Sequence, residues 1–341
     1  MLCASIFRTS LARETAVRLL LMFLFCTVFP FRPVNPRFGK VSKKHRTKQE
    51  SITHEFYLTD AVKSIMVAHK KADWRFFENS TMKVVFLSDA HLKSSTDERY
   101  GLLVRFLTEL GEGRIRSLAG DEKTVRVNAA IDDLYILGDF FDFWFCRPDR
   151  IYPEFQPVIR QLVQLRQSGV RIHLFEGNHD FFMREYFNGI LGMDVIEESA
   201  AIELDSSRVF VAHGDTLDRT NVFYLTLRKV LRSRIFYHFQ RLMPASALWA
   251  IAALSSATSK TVTVEDGDVL VEKLYACAEE KLFREYDTVI LGHCHKPVLR
   301  SSDREGRRKT FVALGDWIVH KSFLYYEDGK FFMEYYPAEP G

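Results

Sequence analysis

The chain has 341 residues, 47 % apolar and 27 % charged, with 17 Gly, 10 Pro and a formal charge of +3. That balance excludes a disordered, collagen-like or multi-span membrane protein, and the length allows a sizeable core in one large or two ordinary domains. The charge averages two unlike parts: residues 1–81 hold 14 Lys+Arg against 6 Asp+Glu, which leaves 33 against 38 for residues 82–341, too few cations for the broad basic footprint of a nucleic-acid binder.

In residues 1–81, Leu19–Phe31 is an apolar run of 13 preceded by Arg8, Arg13 and Arg18. A helical span needs about 20 residues. No small-x-small cleavage pattern follows, and the next stretch is basic. Three readings stay open: a short membrane anchor with the body in the cytoplasm, a cleaved signal, or an unstructured or spuriously translated extension ahead of a start at Met82. The last is preferred, because Met82 directly precedes the first strand of a regular pattern.

From Met82 onward, short apolar runs alternate with helical spacing. Strands are expected at Lys83–Ser88, Leu134–Leu137, Val170–Phe175, Val209–Ala212 and Thr288–Leu291. Helices are expected at Tyr100–Leu110 and Pro153–Gln167, the second with Pro at its start and Gly169 past its end. Gly111–Asp132 reads as a polar loop. The C-terminal part reads as strands with a hairpin turn at Asp328-Gly329. Five scattered cysteines without CxxC spacing argue against a disulfide framework and suit a reducing compartment. The expected class is α/β.

Each buried run is followed by polar chemistry: Asp89-Ala90-His91, Gly138-Asp139, Gly177-Asn178-His179-Asp180, His213-Gly214-Asp215 and Gly292-His293-Cys294-His295. Taken singly, each is ordinary: aspartate caps turns, Gly-Asp is turn chemistry, and two histidines can satisfy each other. Together, at the carboxyl ends of five strands, they converge on one site. Carboxylate, amide and imidazole donors suit divalent metals.

In this order the motifs D-x-H, G-D-x-x-D, G-N-H-D, H-G-D and G-H-x-H resemble the calcineurin-like metallophosphoesterase superfamily over about residues 83–317. The resemblance implies a sandwich of two mixed β-sheets flanked by helices, with an inserted helical cap and two divalent cations, Mn²⁺ by expectation. Carried over by motif, Asp89, His91 and His295 hold one metal, Asn178, His213 and His293 hold the other, and Asp139 bridges them. His179 is then aimed at the substrate phosphate, and Asp180 orients His179 or caps the next helix, with orientation preferred. Asp142 reads as structural.

The segment after His213 carries apolar residues at helical spacing with Arg228, Lys229, Arg232, Arg234 and Arg241 interleaved. This fits a basic amphipathic helix at a membrane surface, or a helix packed on the core with its charges in water. GDFFDFWF, HGDTL with a Tyr eleven residues after the His, GHCHKP and LGDW are similar to the UDP-2,3-diacylglucosamine pyrophosphatases of lipid A synthesis. That branch implies hydrolysis of a lipid-linked UDP-sugar at the phosphorus nearest uridine, at the cytoplasmic face of the inner membrane, without nucleic acid; no protein partner is evident. It marks Trp144, Asn221, Tyr224, Arg228 and Lys260 as substrate contacts and places a cap at about residues 217–265 of a catalytic domain 82–341. Many members carry Arg where this chain has His179, which keeps another lipid or nucleotide phosphodiester open as substrate. A catalytically silent scaffold is disfavoured, since all seven ligand positions and His179 are present.

Overall fold

Val84–Leu87 (β1) is buried at all four positions. It pairs in parallel with Asp133–Leu137 (β4), β4 with Arg171–Phe175 (β5), and β5 with Asp194–Ile196 (β6). Strands covered on both faces have no polar side to show, which is why β1 reads Val-Val-Phe-Leu without alternation. On its other edge β1 pairs antiparallel with Ser322–Glu327 (β12), which turns back into Lys330–Tyr335 (β13). The turn falls at Asp328-Gly329, both at positive φ (52° and 72°), as a two-residue hairpin requires.

The computed structural model describes residues 82–119, 122–126, 129–144, 146–219, 221–244, 248–249, 267–304 and 306–337. The readings of residues 1–81 and of Lys260 fall outside them. Among the described residues no helix is long and apolar enough to cross a membrane, and Cys146, Cys277 and Cys294 are free thiols.

The expected loop at Gly111–Asp132 is instead largely a hairpin. Ile115–Ala119 (β2) and Glu122–Arg126 (β3) pair antiparallel and extend the first sheet past β13. Its inward positions are Ile115 and Ser117, and one apolar residue among polar ones concealed the two-residue period. The first sheet therefore runs β3-β2-β13-β12-β1-β4-β5-β6. The second contains Ser199–Leu204 (β7), Ser207–Ala212 (β8), Thr288–Leu291 (β9), Pro297–Arg304 (β10) and Arg307–Leu314 (β11), in the order β10-β11-β9-β8-β7. Its centre, β8-β9-β11, is parallel, and its edges are antiparallel.

Two mixed sheets flanked by helices agree with the expected class. Val84, Phe86 and Tyr135 of the first sheet meet Val211, Ile290 and Val312 of the second in a shared core. Glu98–Gly111 (α1) and Gln156–Gln167 (α2) cover the outer face of the first sheet. The Asp97 side chain accepts the Arg99 N–H to start α1, which buries Tyr100, Leu103, Phe106, Leu107 and Leu110 on one stripe. Residues Pro153–Phe155 form a short 3₁₀ turn ahead of α2. A one-turn helix, Arg184–Phe187 (α3), follows the third motif.

The segment after His213 is two helices, Val222–Leu231 (α4) and Arg234–Leu242 (α5). The break comes at Ser233, whose hydroxyl accepts the Phe236 N–H and caps α5. Gly267–Cys277 (α6) packs Val271 and Leu274 on the outer face of the second sheet.

Candidate metal centre

In each sheet the parallel strands run the same way, so the five motif loops leave at carboxyl ends after β1, β4, β5, β8 and β9. A sixth joins them: β11 ends at Leu314, and Gly315-Asp316-Trp317 follows. The loops are tied to each other by main-chain bonds: Asp89 N–H donates to Gly138 C=O at 3.1 Å, His91 N–H to Asp139 C=O at 2.9 Å, and Trp317 N–H to Asp89 C=O at 3.2 Å.

The backbone here is strained. Among the described residues nine non-glycine positions have positive φ, and five of them are Asp89, His91, Asp139, His293 and His295. Left-handed conformations cost such residues about 1 kcal/mol or more, and sites that persist in them are held by their surroundings. Glycine is required at two neighbouring points. A Cβ on Gly177 would collide with Asp139 Oδ1, and one on Gly138, at φ +80°, would lie 2.8 Å from His213 Nδ1.

Three groups of donor atoms result, each with its atoms within 4.8 Å of one another: Asp89, His91 and His295; Asp139, His213 and His293; and His91, Asp142 and His179. Asp139 Oδ2 lies between the first two, 3.6 Å from His91 Nε2 and 3.6 Å from His213 Nε2. Asn178 joins the second group, its Oδ1 3.1 Å from His213 Nε2. Asp89 Oδ1 is buried, accepts no hydrogen bond among the described residues, and lies 3.4 Å from His295 Nε2. Buried carboxylate oxygens lacking donors, set among imidazoles, fit hard and borderline divalent cations.

The second layer of contacts fixes which atom of each side chain faces inward. His213 Nδ1–H donates to the Leu137 carbonyl at 2.8 Å, leaving Nε2 for the centre. His179 Nδ1–H donates to the Asp142 carbonyl at 3.1 Å, and its main-chain N–H donates to Asp139 Oδ1 at 2.9 Å. Asp142, expected to be structural, also has its Oδ1 3.8 Å from His91 Nδ1. Asp316, given no role of its own within LGDW, stands with Oδ2 3.6 Å from His295 Nδ1 and accepts the Val319 and His320 N–H groups. A wider reading of the strand-end rule, taking in Leu314-Gly315-Asp316, finds it.

Charge is finely divided in the centre. Burial pushes Asp89 up despite His295 and His213. Burial also opposes the charge on Asp139, but His213, His179 and His91 hold its carboxyl below the usual range. Burial lowers His293 to about 4, helped by the neighbouring His213, whereas His213 itself is held up by Asp139 and Asp89 against its burial. His295 rises to about 9, because Asp89 and Asp316 outweigh its desolvation.

Asp180 does not orient the His179 ring. Its Oδ1 accepts from Asp139 N at 2.9 Å and Gly177 N at 3.0 Å; its Oδ2 accepts from Phe140 N at 2.7 Å and Phe141 N at 3.1 Å. A fully buried carboxylate with four main-chain donors acts as a clamp on two motif loops. Trp144 is no surface contact either: only 2 % exposed, it sits among Phe141, Phe155, Tyr186 and Phe187, because an aromatic face this large is buried against other rings. The Asn221 side chain accepts the Tyr224 N–H and caps α4. Tyr224 OH and Arg228 Nε both donate to Asp215 of the fourth motif, and Arg228 also grips Glu198.

The interleaved cations of the cap are likewise not all solvent-facing. Arg228, Arg232 and Arg241 pair with Asp215, Glu176 and Glu185, whereas Lys229 and Arg234 make no ion pair among the described residues. On α4 and α5, Val222, Val230, Ile235 and Leu242 are exposed, the last two more than 80 %.

A family model for calcineurin-like phosphoesterases matches residues 82–297. A UDP-2,3-diacylglucosamine hydrolase of Aeromonas salmonicida is 28 % identical over 251 residues, 73 % of this chain and 91 % of that protein. One of Pseudomonas entomophila is 30 % identical over 238 residues, 69 % of this chain and 90 % of that protein. One of Proteus mirabilis is 27 % identical over 245 residues, 71 % and 94 % respectively.

Proposed function

Because the chain belongs to the calcineurin-like phosphoesterase family, a family of hydrolases acting on phosphate bonds that implies divalent metal ions, we propose that it hydrolyses the pyrophosphate of UDP-2,3-diacylglucosamine to UMP and 2,3-diacylglucosamine 1-phosphate. The observation that carries the reading is Asp139 Oδ2 standing 3.6 Å from both His91 Nε2 and His213 Nε2, one nitrogen from each ligand set, together with relatives of that named activity that match most of their own length.

In this reading Asp89, His91 and His295 hold one cation, Asn178, His213 and His293 the other, and Asp139 both. When bound, the pair supplies Lewis-acid polarisation of a phosphoryl oxygen and a hydroxide near neutral pH. His179 Nε2, with Nδ1 committed to the Asp142 carbonyl, is left to stabilise charge on the phosphate or protonate the leaving oxygen. Asp142 and Asp316 keep the His91 and His295 rings in register, and Asp180 holds the Asp139 loop against Gly177. The native metal in this reading is Mn²⁺.

The catalytic unit is residues 82–341, with about 217–265 as its cap. The apolar side of α4 and α5 receives acyl chains and rests on the cytoplasmic surface of the inner membrane, with Lys229 and Arg234 turned to anionic headgroups; exposed Ile235 and Leu242 support this. The test is UMP release from UDP-2,3-diacylglucosamine by the full chain with Mn²⁺ and with chelator. UMP formed with Mn²⁺ and abolished by chelator is expected; turnover of a generic phosphodiester without UMP would replace this substrate with another lipid or nucleotide phosphodiester.

A further inference from the structure

Arg232 sits at the C-cap of α4, one turn beyond Arg228, so the two guanidiniums leave the same face of the cap. By sequence it looks like a solvent-facing or membrane-facing cation. Its side chain is instead only 12 % exposed and runs into the loop after β5. Nη1 donates to Glu176 Oε2 at 3.0 Å and to the Glu197 carbonyl at 3.1 Å, Nη2 donates to the Gly177 carbonyl at 2.7 Å, and the guanidinium lies over the Phe181 ring at 5.3 Å. Glu176 in turn accepts the Met183 N–H at 2.8 Å.

These contacts grip both ends of the segment that carries Asn178, His179 and Asp180. The planar fork fixes angle as well as position, which a point charge on a flexible stem cannot do. Gly177 has no slack on its other side, since Asp139 Oδ1 stands where its Cβ would be. A displaced Gly177 peptide therefore shifts Asn178 and His179 and presses on Asp139 together. An ordinary ion pair between cap and body would end at Glu176; the bond to the Gly177 carbonyl reaches inside the motif.

We propose that Arg232 is a positioning residue, a latch from the cap that holds the Gly177 carbonyl and the Glu176 carboxylate so that Asn178 and His179 face the metal centre, making alignment of that loop depend on cap docking. This rests on the reading of Asn178 as ligand and His179 as the phosphate-facing group. Cap and centre are then one mechanical unit: a cap that lifts from the body loosens the loop it latches.

The experiment uses the full chain and two readouts: calorimetric Mn²⁺ titration, and kcat and KM on both UDP-2,3-diacylglucosamine and bis(p-nitrophenyl) phosphate, which has no acyl chain for a cap to hold. Arg232→Ala is expected to weaken Mn²⁺ binding and lower kcat on both substrates by about 10–100-fold, the usual effect of losing a group that orients a ligand. Arg232→Lys, which keeps the charge beside Glu176 and decides the matter if the alanine variant does not fold, should recover only part of either loss. Arg241→Ala, which removes a cap–body ion pair away from the motif loops, should leave Mn²⁺ binding and the small substrate unchanged.

Arg232→Ala with wild-type Mn²⁺ affinity and wild-type turnover of the small substrate would overturn the latch, whatever its KM for the lipid. So would Arg232→Lys equal to wild type, or losses of the same size in Arg241→Ala. Wild type active on the small substrate but releasing no UMP removes the substrate reading alone, and the Arg232 comparison still decides on Mn²⁺ and the small substrate. Wild type that binds no Mn²⁺ overturns both.

Discussion

Replacing Asp180 by Asn changes one atom and tests how the centre is held. The carboxylate takes four main-chain N–H donors, two on each oxygen, at 2.7–3.1 Å. In Asn one of those oxygens becomes an NH₂ group, so two buried donors lose their acceptor and face another donor. Hydrogen bonds to a charged acceptor contribute about 1.5–3 kcal/mol each. Above about pH 8, where the Asp180 carboxyl is ionised, removing a buried charge beside Asp139 recovers part of this, so Asp180→Asn should cost about 2–4 kcal/mol in urea unfolding of the metal-free protein. The pH dependence carries a second signature. Burial and the Asp139 charge push the Asp180 carboxyl up to about 8, whereas it titrates near ~3.9 when unfolded. The native state then binds the extra proton, so this group's stabilising contribution is full below pH ~4 and is lost as pH rises towards about 8. Asp180→Asn should lack that slope in EDTA and should bind Mn²⁺ more weakly, because the strained Asp139 backbone is no longer clamped. Stability within about 0.5 kcal/mol of wild type, the typical range of a neutral surface change, with unchanged Mn²⁺ affinity would show that Asp180 clamps neither loop.

Asp316→Ala removes the carboxylate beside His295 Nδ1; Mn²⁺ affinity should fall about 10–100-fold with KM for the lipid little changed, and calorimetry with steady-state kinetics checks both. The double change Ile235→Glu and Leu242→Glu should reduce co-sedimentation with anionic vesicles and raise KM for the lipid, leaving turnover of bis(p-nitrophenyl) phosphate as it was; undiminished vesicle binding would remove the cap from the membrane contact.

The motif residues were legible because parallel strands deliver their next few residues to a common edge, and Asp, Asn and His at five such ends leave little room for chance. The hairpin of β2 and β3 was not, because an edge pair with one inward apolar residue carries almost no periodic signal. Trp144 and Asp180 were misplaced for a different reason. Indole and carboxylate are equally at home in a site or in its support, and only the surrounding rings and four main-chain donors separate the two. Arg232 and Arg241 read as surface cations because their carboxylate partners lie 56 residues away in sequence. Arg232 shows the consequence, since what reads as a charge for a membrane is turned towards the loop bearing Asn178 and His179.

In the proposed centre two cations share Asp139 between two ligand groups, each drawn from loops of both sheets. It is tested most directly by anomalous scattering at the manganese edge from crystals of the full chain grown with Mn²⁺. Two peaks are predicted, one among Asp89, His91 and His295 and one among Asn178, His213 and His293, each touching Asp139. A single peak, or a pair with Asp139 to one side, would contradict the account.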